Sequence, residues 1–203
     1  NINYYLKENP GAWLVYETGY KKLFGFTGTG DVQDTLLAGL LCALCFSGLF
    51  AMERKGGMDE ILACTPLGRK YTVKAKLRQS TAVAAVISFG TVLPHLWQVL
   101  RDYGLPSLLG PAMSISDLQA VPKFITLSDL LIFWLICRFA ACLCMSRITL
   151  WLGQKLVNLL TALFISAVTY CLPALLSLSG MKNGIEWLGF YPLFHAAALW
   201  QNQ

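Results

Sequence analysis

Charge is what this sequence has least of. Only 13% of its 203 residues are Asp, Glu, Lys or Arg, about half of the ~25% usual in a soluble domain. Hydrophobic residues make up 56%, above the usual range of about 45–50%. Too few charges remain to clothe a water-facing surface, so an ordinary soluble domain is excluded and one membrane domain is the natural count. Histidine is scarce as well: His95 and His195 are the only two. An intramembrane protease or lipid-modifying transferase needs paired catalytic groups at membrane depth, such as two His, two Glu or Ser with His. No such pair falls in an apolar run, and no catalytic residue is assigned. A Walker sequence is also missing, because Gly25, Gly28 and Gly30 precede no Lys-Ser/Thr pair, so the chain has no ATP site of that kind. The seven cysteines are an odd number and cannot all pair within one chain. Cys42-Ala-Leu-Cys45 has no second pair with which to complete the roughly four ligands of a zinc site. Neither a metal nor a cofactor is expected. The net charge of +5 does not point to nucleic acid, since the positive residues cluster beside apolar runs, as topology selection arranges them.

What is present is a series of apolar runs, which predicts an all-α polytopic membrane protein. Residues 1–32 contain no run of membrane length and read as an extracytoplasmic surface segment. Its aromatics Trp13, Tyr16, Tyr20, Phe24 and Phe26 could pack on a soluble domain or sit at the headgroup level. A membrane domain follows over 33–203, with spans at about 33–52, 80–100, 127–152 and 156–179. About 20 helical residues cover the hydrocarbon core of roughly 30 Å. In the first span Asp34 and Thr35 suit an N-terminal cap. Gly39, Ala43, Ser47 and Ala51 form a small-residue ridge for close helix packing. Pro94 predicts a kink in the second span, with Ser88 and Thr91 available to the freed carbonyls, and His95 reads as interfacial. Arg138 sits near the middle of the third span and must face protein or water. Asp129, nine residues earlier, is out of phase with it on a helix. Arg138 therefore either lines a pathway for an anionic or polar substrate or is a structural residue bonded to neighbouring carbonyls. Asn158, Thr161 and Thr169 form a loosely polar stripe on the fourth span and are candidates for the same pathway, although such side chains commonly bond their own helix. Residues 185–201 are apolar but short and split by Pro192, which suits outer re-entrant or interfacial half-helices.

The stretch from Glu53 to Arg78 is the one long polar island, with seven of the sixteen Lys and Arg residues. The outer loop 101–126 has only Arg101 and Lys123. This asymmetry predicts loop 53–79 on the cytoplasmic side. Gly56-Gly57 breaks the first helix. Met58, Ile61 and Leu62 then fall at i, i+3 and i+4, with Asp59 and Glu60 opposite, which predicts a short amphipathic interfacial helix. Thr65-Pro66 ends it. The order Glu53-Arg54, Gly57, Glu60, Ile61-Leu62, Thr65-Pro66, Gly68-Arg69 and Lys76 resembles the cytoplasmic loop of type-2 ABC transporter permeases, the exporter class. Met58 stands where that family has Thr. The likeness covers 24 residues, from Glu53 to Lys76; elsewhere only the pattern of spans agrees.

The resemblance implies a permease subunit without an ATP site of its own, and hence not an enzyme. Glu53, Arg54, Gly57, Glu60, Leu62, Thr65, Pro66, Arg69 and Lys76 would form a coupling helix and its frame. The implied partners are an ABC ATPase subunit and a second permease, as homodimer or heterodimer, in a bacterial inner or plasma membrane. The family pattern also implies one further span before Asn1 and one after Gln203, so the chain is expected to be part of a longer protein. A non-catalytic membrane scaffold or sensor is the alternative, with an intramembrane enzyme behind it.

Overall fold

A computed structural model describes residues 17–26, 30–58, 61, 64, 68–104, 108–118, 121–122, 124–156, 158–178, 191–194 and 196. The helices in chain order are α1 (Glu17–Leu23), α2 (Gly30–Lys55), α3 (Gly68–Tyr103), α4 (Leu127–Lys155), α5 (Leu159–Leu178) and α6 (Tyr191–Phe194). Two 3₁₀ turns, Ala112–Ser114 and Ser116–Leu118, lie between α3 and α4. Among the described residues no strand forms beyond one isolated bridge, between Pro111 and Thr126.

Four helices contain stretches long and apolar enough to cross a bilayer: Val32–Phe50, Tyr71–Asp102, Leu127–Lys155 and Leu159–Leu176. Only 28–44% of each apolar window is buried within the chain. Large side chains such as Leu44, Phe89, Leu93 and Phe164 point outward. An apolar surface of this extent is incompatible with water and is what hydrocarbon accepts, because each helix satisfies its own backbone. The chain is an all-α, multi-pass membrane protein.

The helices overrun the expected spans. α2 begins at Gly30 and ends at Lys55, and α3 begins at Gly68, twelve residues before residue 80. Apolarity marks only the part of a helix that meets lipid. Met, Glu, Arg and Lys are good helix formers, so the backbone ladder continues through them into the polar layer. One consequence overturns the expected cap at Asp34 and Thr35. Both residues lie in the second turn of α2, and the Asp34 carboxylate is engaged elsewhere.

The described chain gathers into two compact units, each with its own core. One comprises residues 1–31, 93–137 and 195–203. Here residues 17–23 form a helix where only a surface segment was expected. Tyr20, Leu23 and Phe24 are fully buried, and Phe24 meets the Trp134 ring edge-on at 6.3 Å. These three positions follow i, i+3, i+4, the spacing of one helical face, so Tyr20 and Phe24 are core residues rather than headgroup-level aromatics. Lys21 bonds Ser116 at 2.5 Å and pairs with Glu17 and Asp117, both at 2.9 Å. The hydrogen bond to Glu17 is the main reason its pKa lies above 10.5. His95 lies 3.3 Å from the Lys22 carbonyl.

The other unit comprises residues 32–92 and 138–194. Its core joins Cys42 and Phe46 of α2, Ala84 and Ile87 of α3, Cys142, Met145 and Leu150 of α4, and Tyr170 of α5. The small-residue ridge of α2 is buried at Gly39, Ala43 and Ser47. A Cβ on Gly39 would come within 2.9 Å of the Tyr170 Cβ, so α2 and α5 approach as closely as glycine permits. A Cβ on Gly153 would lie 3.6 Å from the Ser47 carbonyl oxygen, which brings the end of α4 against α2. The Tyr170 hydroxyl lies 2.7 Å from both the Met145 carbonyl and the Thr149 hydroxyl, so its polar end is satisfied inside the core. Pro94 and Pro173 sit inside continuous helices. The Thr91 hydroxyl donates to the Ser88 carbonyl at 3.0 Å, not to the Gly90 carbonyl that Pro94 leaves without its usual amide partner.

Candidate functional site

The polar island is entered through the end of α2. The Gly56 amide donates to the Met52 carbonyl at 3.0 Å, and Gly57 then takes φ +70°. This left-handed step stops a helix and is cheap only for glycine. A Cβ on Gly57 would touch nothing, so backbone conformation rather than space requires glycine there. Met58, Ile61 and Cys64 are helical and exposed, with Met58 and Ile61 at 53% and 69%. Glu60, Leu62, Thr65 and Pro66, which the expected coupling helix also uses, lie outside the described residues. Arg54 and Arg69 fall within α2 and α3.

Lys76 and Glu53 close the neck of this loop. The Lys76 ammonium forms an ion pair with the Glu53 carboxylate. It also donates to the Leu49 carbonyl at 2.7 Å and lies 3.9 Å from the centre of the Phe50 ring. Leu49, Phe50 and Glu53 lie close together on successive turns of α2, so a single cation from α3 engages three acceptors at once. The Lys76 side chain is only 10% exposed. An ammonium buried to that degree is tolerable because a carboxylate, a carbonyl and an aromatic face replace its water. Sequence spacing could not reveal this bond, since the partners are 23 positions apart and separated by a loop.

Arg138 has an internal partner of a kind that was not foreseen. Its Nη1 donates to Asp34 Oδ2 at 2.8 Å, and its guanidinium lies 5.5 Å from the Phe194 ring. One partner is therefore a carboxylate on α2. Asp129 is indeed used elsewhere: its carboxylate accepts from the Thr126 hydroxyl at 2.7 Å and the Thr126 amide at 3.1 Å. Arg138 was visible as a charge inside an apolar run and Asp34 as an N-terminal cap, but one sequence carries no register between helices. The Arg138 side chain is 1% exposed, whereas Asn158, Thr161 and Thr169 are exposed. The four pathway candidates are thus not gathered onto one lining. The Thr169 hydroxyl donates to the Ile165 carbonyl of its own helix at 2.7 Å.

The fold and these sites define the class as a multi-pass, all-helical membrane protein whose polar loop is held at its neck by a buried ion pair. Comparison with protein-family models, curated proteins and solved structures gives no match to the chain.

Proposed function

We propose that the chain is the membrane-spanning permease subunit of an ATP-driven ABC transporter of the exporter class. It receives displacement from a separate ATPase subunit through the loop after α2. The observation that carries this reading is the Lys76–Glu53 clamp. Both residues belong to the motif by which the loop resembles that family. A loop tied at its neck cannot absorb a push by spreading its two stems, so force on its tip reaches α2 and α3 together. Exposed Met58 and Ile61 support docking, because they offer an apolar contact to a partner's groove. The ATP chemistry resides in that partner. Translocation requires a second permease copy or a related half, with the pathway between the two.

The test is transport-coupled ATPase activity of the chain reconstituted with its ATPase. Glu60→Ala and Pro66→Ala are each expected to lower it several-fold while membrane insertion stays intact. Full coupling in both variants would count against the assignment.

A further inference from the structure

An open groove of about 470 Å³ runs between α3 and α4, close to the polar loop. Its walls are apolar: Val73 and Leu77 from α3, Ile148 and Trp151 from α4. Two polar residues, Arg147 and Gln154, also line it. We propose that this groove is a binding site for one anionic phospholipid, with the phosphate on Arg147 and an acyl chain along Val73, Leu77 and Ile148.

The volume falls in the range of about 300–1,000 Å³ typical of small-ligand sites. The cleft lies where the apolar part of α4 gives way to Gln154 and Lys155, and Trp151, 58% exposed, marks that level as interfacial tryptophans do. Arg147 donates to the Thr81 hydroxyl at 2.8 Å, which fixes its guanidinium over the groove. Among the described residues no carboxylate pairs with it. A guanidinium has five N–H donors in a planar fork, so most remain for phosphate oxygens.

The surroundings select the sign of the headgroup. Segments 53–78 and 147–155 carry nine Lys and Arg against three Asp and Glu, and one of those acids, Glu53, is engaged by Lys76. Lys74 is exposed on α3, one position from the groove-lining Val73, and adds positive charge to the same stretch of the helix. Basic pockets between spans at the headgroup level favour anionic lipids over zwitterionic ones. The inference requires only the membrane fold and is independent of the transporter reading.

The test is quenching of Trp151 by brominated lipids in nanodiscs holding the full chain, with Trp151→Phe used to isolate its signal. Brominated phosphatidylglycerol is expected to quench Trp151 at a lower mole fraction than brominated phosphatidylcholine. Arg147→Gln and Lys74→Gln should each reduce that preference by about fivefold, the weight of one basic residue near a lipid surface. Arg147→Lys should retain most of it, and circular dichroism on each variant confirms that the helices persist. Equal quenching by the two lipids in the unmodified chain, or an unchanged preference in Arg147→Gln, overturns the proposal. A Trp151 that neither lipid reaches means that protein covers the groove, and overturns it as well.

Discussion

Two buried cations fasten α2 to its neighbours, and they do so in different surroundings. Arg138 reaches across from α4 to Asp34 within the apolar part of the bundle. Lys76 reaches from α3 to Glu53, at the start of the polar loop. Arg138 is 1% exposed and its partner 14%; Lys76 is 10% exposed and its partner 24%. The Arg138 guanidinium is sealed inside the chain and offers no surface to a docking partner. A pair at the neck of an exposed loop can also transmit what happens to that loop. On the proposed reading the first pair acts as a structural fastener, and the second as both a fastener and a mechanical link.

Double substitutions separate these roles, and the largest effect belongs to Arg138. Arg138→Leu removes the cation that the Asp34 carboxylate accepts from, and breaking a buried pair from one side costs about 3–5 kcal/mol. Membrane-inserted, folded protein should fall sharply, as measured by detergent-resistant yield. Asp34→Leu/Arg138→Leu removes both charges and should recover most of that yield, since an apolar pair often replaces a buried ion pair without loss. Any coupled ATPase activity should return with it. If the double variant folds but remains inactive, Arg138 has a role in the pathway and the comparison fails on that side.

Lys76→Met should cost less, about 1–3 kcal/mol, because Glu53 keeps some access to solvent. Glu53→Gln/Lys76→Met should restore stability in the same yield assay, with no unpaired charge left behind. Coupled ATPase activity should nonetheless stay low, since the neck is no longer pinned. Recovery of stability and coupling together would make this pair another plain fastener.

The spans were legible in the sequence because hydrocarbon imposes a composition and a length that no other environment does. Their ends were not, because a helix continues past its lipid-facing part wherever residues such as Met52, Glu53, Arg54 and Lys55 favour it. α1 was missed for the opposite reason: its Tyr20, Leu23 and Phe24 stripe is strong but covers barely two turns, too little for a membrane-length window to register. At the loop, Gly57 was readable from local chemistry, and Glu53 and Lys76 were named through resemblance. The bond between Glu53 and Lys76, and that between Asp34 and Arg138, depend on which helix faces which. That is a property of packing, and no spacing within one helix encodes it.

The side of the membrane to which the α2–α3 loop is presented decides most directly whether a motor can grip it. Cys64 is an exposed thiol within that loop, and the measurement is its labelling by a membrane-impermeant maleimide, with Cys64→Ser as the blank. The account predicts no Cys64-dependent labelling in intact cells, strong labelling in inverted vesicles, and protection there when the ATPase is bound. Cys64-dependent labelling of intact cells would put the loop outside and contradict it.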